Sequence, residues 1–330
     1  MKICDEEIVN LLIAAKADNC DCFLAPNEFP TAEDICLCAE NVFRKTAVIL
    51  PGRGVLPASM TFLEGHPTVR FCSSQVLSDT LFWEKAVSDG VEGVFLLDAE
   101  IAKRSEYGYI CDYSRVGDIR AGLRSHLSLV AVFSDAEYLS DNKYLTYFGS
   151  EHAVTVGNAV TEFASEIFPN EKLRKEFLLE QAKKIDKMTT IMCMTRYEAK
   201  HLYHIFLYNG IHATCFTGES ALDDECKTLT EICSQKKKIL IATKSIVQYA
   251  PFLPHSDVIC SGVPYSISNA SRFLTLDHSP KRLLACCYCS DDILISLKIT
   301  DSYAKNYVEN SIEFLNERNT SLLKVLKKIT

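Results

Sequence analysis

The chain has 330 residues, 48% of them apolar, enough for two cores at about 150 residues per domain. It carries 35 basic and 43 acidic side chains, a net charge of −8, so it lacks the overall basic footprint common in nucleic-acid-binding chains. No window of about 18 uncharged apolar residues occurs, so no membrane-spanning helix is expected. The imbalance lies in the first hundred residues, which hold 7 basic and 16 acidic groups, and the remainder is close to neutral. The acidic start, Asp5-Glu6-Glu7, does not read as a secretory signal. Fifteen cysteines sit mostly inside apolar runs of a long, strand-and-helix patterned chain. That context favours buried free thiols in a reducing compartment, hence an intracellular protein, nuclear or cytoplasmic. The pairs Cys20/Cys22, Cys36/Cys38 and Cys287/Cys289 lack the spacing of a zinc knuckle, and no metal site is expected.

In chain order, residues 1–45 read as helical. Ile8, Leu11, Leu12 and Ala15 form one stripe, and Thr31 with Asp34 three residues on reads as the cap of a second helix reaching Phe43. Thr46 to Leu50 is a short β run leading into Pro51-Gly52-Arg53-Gly54. Thr68 to Cys72 is another, followed by Ser73 and Ser74, which read first as the cap of the next helix. Val94 to Leu97 runs into Asp98-Ala99-Glu100. Tyr109-Ile110-Cys111 precedes Asp112-Tyr113-Ser114-Arg115, and a helix follows from Gly117. Leu127 to Phe133 and Ala153 to Val156 are further strands.

The second half alternates more regularly. Lys172 to Lys187 is a charged helix of mixed sign. Thr190 to Met194 is apolar; Tyr197 to Asn209 places Ala199, Leu202, Tyr203, Phe206 and Leu207 at helical spacing, and Gly210 stops it. Ile211 to Phe216, a helix from Asp223 to Cys233, Lys238 to Thr243 and Asp257 to Cys260 follow. Short apolar runs separated by helices of about 12 residues are βαβ units of a parallel sheet. A boundary between the two α/β halves is expected near residues 157–165, and residues 301–330 read as a helical tail, with Val308, Ile312, Leu315, Leu322, Leu326 and Ile329 in register.

This order, with Cys193-Met194-Thr195-Arg196 after one strand and Ala242-Thr243 ending another, resembles the second RecA-like domain of superfamily 2 helicases, most closely the RecQ family. The resemblance covers roughly residues 28–300. It implies an α/β fold of two tandem RecA-like domains, each a mostly parallel sheet flanked by helices, over residues 1–157 and 158–300, with 301–330 as the tail. It also implies roles. Gly52, Arg53 and Gly54 are the remnant of a phosphate loop. Asp112 stands where an aspartate holds Mg²⁺, and Arg272 is what is left of the arginine fingers. Ser73, Ser74, Thr195, Arg196 and Thr243 stand where nucleic acid is touched.

The chemical motifs depart from that pattern. Val55 and Leu56 replace the lysine and hydroxyl that neutralise a triphosphate and ligate Mg²⁺. Tyr113 replaces the glutamate that positions water, and a phenol is no base at neutral pH. Arg115 replaces a histidine, and Ser134-Asp135-Ala136 stands in for threonine-alanine-threonine. Glu28 to Glu33 keeps the Phe29-Pro30 of an adenine-reading turn without its arginine and glutamine. The resemblance therefore implies a helicase-derived pseudo-enzyme that hydrolyses no ATP and needs no cofactor. Such a protein acts as a scaffold with DNA or RNA, and a protein, as partners. The alternatives are an active DNA translocase using ATP and Mg²⁺ through divergent motifs, and an unrelated α/β enzyme.

Overall fold

The computed structural model describes residues 2–28, 30–50, 67–102, 112–123, 126–133, 136–157, 163–168, 171–219, 222–254, 256–261 and 281–286. The chain divides into two compact units, each built on one six-stranded sheet. In the first unit the strands are β1 (Asp21–Ala25), β2 (Thr46–Leu50), β3 (Val69–Ser73), β4 (Gly93–Leu97), β5 (Ser128–Val132) and β6 (Ala153–Gly157). They lie in the order β3-β2-β4-β5-β1-β6, and every pairing is parallel. Parallel strands covered by helices on both faces read as continuous apolar runs. β1, β2, β4 and β5 are buried at all five positions, whereas the edge strands β3 and β6 are partly exposed.

Helix α1 (Glu6–Ala17) buries Ile8, Leu12 and Ala15, and α2 (Ala32–Val42) buries Ile35, Cys36, Cys38, Ala39 and Val42. Between them stands β1, so residues 1–45 are not the helix pair that their composition suggests. A five-residue apolar run has no periodicity that separates strand from helix, and its place in the sheet is set by β5 and β6, more than a hundred residues away. α3 (Thr80–Ser88) starts at Asp79, whose carboxylate accepts from the Phe82 N–H at 3.1 Å. α4 (Val116–Gly122) and α5 (Lys143–Phe148) complete the layers. The core centres on Phe23, with Phe133 at 5.6 Å and Phe148 at 5.8 Å in edge-to-face contact. The single Trp of the chain, Trp83, is buried there and donates to the Val76 carbonyl at 2.9 Å.

The second unit contains β7 (Phe163–Phe168), α6 (Glu171–Ala182), β8 (Thr189–Met192), α7 (Arg196–Tyr208), β9 (Ala213–Phe216), α8 (Leu222–Cys233), β10 (Ile239–Ala242), β11 (Asp257–Cys260) and β12 (Lys281–Cys286). Its sheet runs β7-β12-β11-β8-β10-β9, again parallel throughout. The alternation from β8 to β11 follows the sequence pattern closely. β7 has no counterpart in the sequence reading, which treated that stretch as the boundary. α6 is charged as expected but packs Leu178 and Ala182 inward and buries Arg174. The expected helical tail, 301–330, lies outside the described residues.

Candidate functional site

Open parallel sheets bind ligands outside the carboxyl ends of their strands, where neighbouring connections leave in opposite directions. In the first sheet β2 with β4, and β1 with β5, are among the neighbours with this property. β2 connects towards β3 while β4 connects towards β5; β1 connects across to β2 while β5 connects to β6. At the first pair, β4 is followed by Asp98, Ala99 and Glu100, all buried, with Asp98 at φ 63°. An aspartate at the carboxyl end of an apolar strand is the geometry a metal-holding carboxylate needs. Tyr113, fully buried, reaches the same edge. Its hydroxyl lies 3.0 Å from the Ile49 carbonyl and 2.8 Å from the Leu97 carbonyl, so the phenol bridges the ends of β2 and β4.

At the second pair, β1 passes through residues 26–31 into the start of α2, a strand–loop–helix of the kind that cradles phosphate when its helix N–H groups are free. Here the chain occupies its own helix start. The Thr31 hydroxyl accepts from the Asp34 N–H at 3.1 Å and donates to the Asp34 carboxylate at 2.7 Å, and that carboxylate accepts from the Thr31 N–H at 3.2 Å. This is a complete capping box. Burial alone pushes the Asp34 carboxyl up; hydrogen bonds from Thr31 and Cys4, and the charge of Lys2, outweigh it and hold the group below its ordinary value. Glu33 adds a second carboxylate to the same turn. An incoming phosphate meets negative charge where it needs donors.

The amino ends of β1, β5 and β6 carry a different arrangement. Asp21 and Arg120 form a two-pronged pair with both contacts at 2.8 Å, their side chains only 3% and 11% exposed. Asp21 also accepts from the Leu129 N–H at 2.9 Å and the Ser150 hydroxyl at 2.5 Å, and Arg120 donates to the Phe148 carbonyl at 2.7 Å. A cavity of about 520 Å³ opens beside this pair, rimmed by Asp18, Asn19, His126, Glu151 and His152. α4 reaches it through Gly117, which lies against Gly149 so closely that a Cβ on either would sit 2.9 Å from the other's backbone.

In the second unit, Thr195 caps α7 by accepting from the Glu198 N–H at 3.0 Å. Glu198 accepts from the Met194 N–H at 3.0 Å, the Ser261 hydroxyl at 2.8 Å and Arg174 at 3.3 Å, while Arg174 also donates to the Ser261 carbonyl. This network binds the carboxyl ends of β8 and β11 to α6 and α7. Arg196 and Lys200 share the single carboxylate of Glu219, at 3.1 and 2.5 Å. The hydrogen bond from Lys200 and the charge of Arg196 hold that carboxyl below its usual range. Thr243 is buried, 3.2 Å from the Thr217 carbonyl and 2.9 Å from the Ser245 hydroxyl.

Of the residues singled out in the sequence, Thr195, Arg196 and Thr243 all lie just past the carboxyl ends of β8 and β10, two neighbouring strands. Thr195 and Arg196 are exposed, whereas the Thr243 hydroxyl is committed to the turn. Ser73 ends β3 and makes no side-chain cap, contrary to the capping reading, and Ser74 is buried. Asp112 opens a 3₁₀ turn running to Arg115. Gly52, Arg53, Gly54, Phe29 and Arg272 lie outside the described residues. Sequence reasoning reads the Thr31–Asp34 cap but not the strand before it, and does not single out Asp98. The signal for Asp98 was present: an acid directly after four apolar strand residues. Among the described residues no group of three or more His, Cys, Asp or Glu is placed to hold a metal.

No protein-family model matches the chain, and no curated protein does. Solved structures do. The DUF1998 helicase MrfA bound to DNA superposes with a TM-score of 0.57 at 9% identity, covering 84% of this chain and 45% of that one. The Escherichia coli DEAH/RHA helicase HrpB gives 0.57 at 12% identity over 90% of this chain and 44% of its own. Mss116p bound to ssRNA and AMP-PNP gives 0.51 at 13% identity over 97% of this chain and 77% of its own. The fold is thus the one these helicase structures share, two α/β domains of the RecA-like kind, each on a parallel sheet. The chain spans a little under half the length of MrfA and HrpB.

Proposed function

We propose that this chain is a catalytically degenerate, RecQ-like helicase core that binds nucleic acid, or a protein partner, as a scaffold without hydrolysing ATP. On this reading residues 1–157 and 158–300 are the two RecA-like domains, and the protein works inside the cell. The observation that carries the reading is the closed helix start after β1. Two of the donors there, the Thr31 and Asp34 N–H groups, are taken inside the capping box, and the carboxylates of Asp34 and Glu33 add repulsion. Tyr113, hydrogen-bonded across the ends of β2 and β4, supports it. Similarity of fold to helicases bound to DNA or RNA supports nucleic acid as the partner.

The alternative, a translocase driven by ATP and Mg²⁺, is favoured by one observation: Asp98 stands at the carboxyl end of β4. Two titrations separate these readings. The first measures binding of AMP-PNP with Mg²⁺ by calorimetry. The scaffold reading predicts no saturable binding, and micromolar binding lost in Asp98→Ala supports the alternative. The second measures anisotropy of labelled single-stranded DNA and RNA at two salt concentrations. The scaffold reading predicts binding that weakens as salt rises.

A further inference from the structure

Helix α7 buries Ala199, Leu202 and Phe206 on one side. Its opposite side carries four flat rings, Tyr197, His201, His204 and Tyr208, at i, i+4, i+7 and i+11. At 100° per residue these fall within an arc of about 60° and extend about 16 Å along the axis. All four are exposed, Tyr197 to 79% and Tyr208 to 92%. The Tyr197 and His201 rings are parallel to within 3°, with centroids 6.0 Å apart. Large exposed aromatic side chains are uncommon on a surface with nothing to bind. A helix face that docks into a protein groove carries aliphatic anchors at this spacing. This stripe has none, Leu207 lying to one side. Flat rings with polar edges match the faces of nucleobases, which stack on them whatever the sequence.

Charge agrees. Arg196 and Lys200 flank the stripe and, among the described residues, are countered by Glu219 alone, which leaves the flank one positive charge in excess. We propose that the outer face of α7 is a stacking ladder for single-stranded nucleic acid, with Tyr197, His201, His204 and Tyr208 receiving bases and Arg196 and Lys200 the backbone. The proposal rests on the nucleic-acid reading above and adds a site to it. Duplexes hide their base faces, so the ladder selects unpaired strands.

The test uses fluorescence anisotropy of the full chain with labelled dT20, U20 and a blunt 20-bp DNA duplex. Four proteins are compared: wild type, Tyr197→Ala/Tyr208→Ala, Tyr197→Phe/Tyr208→Phe and His201→Ala/His204→Ala. All four side chains are exposed, so the folds are retained, as circular dichroism checks. The alanine pair weakens single-strand binding about tenfold or more, the histidine pair weakens it several-fold, the phenylalanine pair keeps it, and duplex binding is unchanged throughout. Wild-type binding with no loss in the alanine pair overturns the ladder and leaves the scaffold reading in place. Equal loss in the alanine and phenylalanine pairs overturns stacking as its basis. Absence of any wild-type binding overturns both the ladder and nucleic acid as the partner.

Discussion

Replacing Arg120 with Ala leaves Asp21 as a buried carboxylate without its counter-charge. In the native protein each Asp21 oxygen has two donors: Arg120 and the Leu129 N–H on one, Arg120 and the Ser150 hydroxyl on the other. Both side chains are withdrawn from water, so this differs from a surface ion pair worth under about 1 kcal/mol. Removing one partner of a buried pair costs about 3–5 kcal/mol, because the remaining charge has lost both its partner and its hydration. The cost is increased because the freed Phe148 carbonyl also loses a donor. Trp83 makes the measurement specific. It is the only Trp in the chain and is buried in the first unit, so its fluorescence during urea unfolding reports that unit. With a urea slope of about 2 kcal/mol per molar, a loss of about 4 kcal/mol lowers the midpoint by about 2 M. Asp21→Asn/Arg120→Met, which removes both charges, recovers part of that loss. A midpoint change under about 0.5 M for Arg120→Ala would refute the buried-pair account.

Three further outcomes follow from the same packing. Asp34 and Glu92 both titrate below their ordinary values of 3.8 and 4.5, Asp34 because hydrogen bonds outweigh its burial and Glu92 chiefly through its hydrogen bond from Lys16. Depressed carboxyl values contribute stability that is present above the unfolded value and lost as pH falls through the folded one. The Trp83-detected stability therefore declines as pH falls below about 4.5, and Asp34→Asn flattens the decline; an unchanged slope in that variant contradicts the capping-box reading. Burial pushes the thiols of Cys22 and Cys38 up to about 12 and those of Cys36 and Cys72 up to about 11. Native labelling at pH 8 leaves these four unmodified and denaturation exposes them, as peptide mass spectrometry reads; rapid native modification of Cys22 or Cys38 contradicts their placement. Thr31→Ala lowers first-unit stability by about 1 kcal/mol, and a change indistinguishable from zero removes the cap as a structural element.

The alternation of apolar runs and helices made the second sheet legible from Thr190 onward, because each strand is short, apolar and followed by a helix with a clear buried face. The first sheet was less so. β1 follows an amphipathic helix and begins with Asp21, a charge that belongs in a strand only because Arg120, 99 residues later, neutralises it. The sequence reading places the phosphate loop after β2 and the metal-holding acid at Asp112; the structure adds a strand–loop–helix after β1 and a second acid, Asp98, directly after β4. The stack of Tyr197 on His201 and the sharing of Glu219 by Arg196 and Lys200 depend on side-chain directions that spacing alone does not give. Ser73 shows the limit of local signals: a serine before a helical turn reads as a cap, yet its hydroxyl makes no such bond.

On the proposed function, the fold shared with helicases is kept here without ATP chemistry. Hydrolysis needs a cradle for the phosphates, a metal, a positioned water and compensation of the developing charge, and losing one such group typically costs about 3 kcal/mol of barrier lowering. The most direct measurement is phosphate release from Mg²⁺-ATP by the purified chain, alone and with dT20 or U20, beside the Asp98→Ala variant. The account predicts release equal to a protein-free blank in every case, with oligonucleotide binding retained. Turnover that an oligonucleotide stimulates and Asp98→Ala abolishes would contradict it and place the chain among the active translocases.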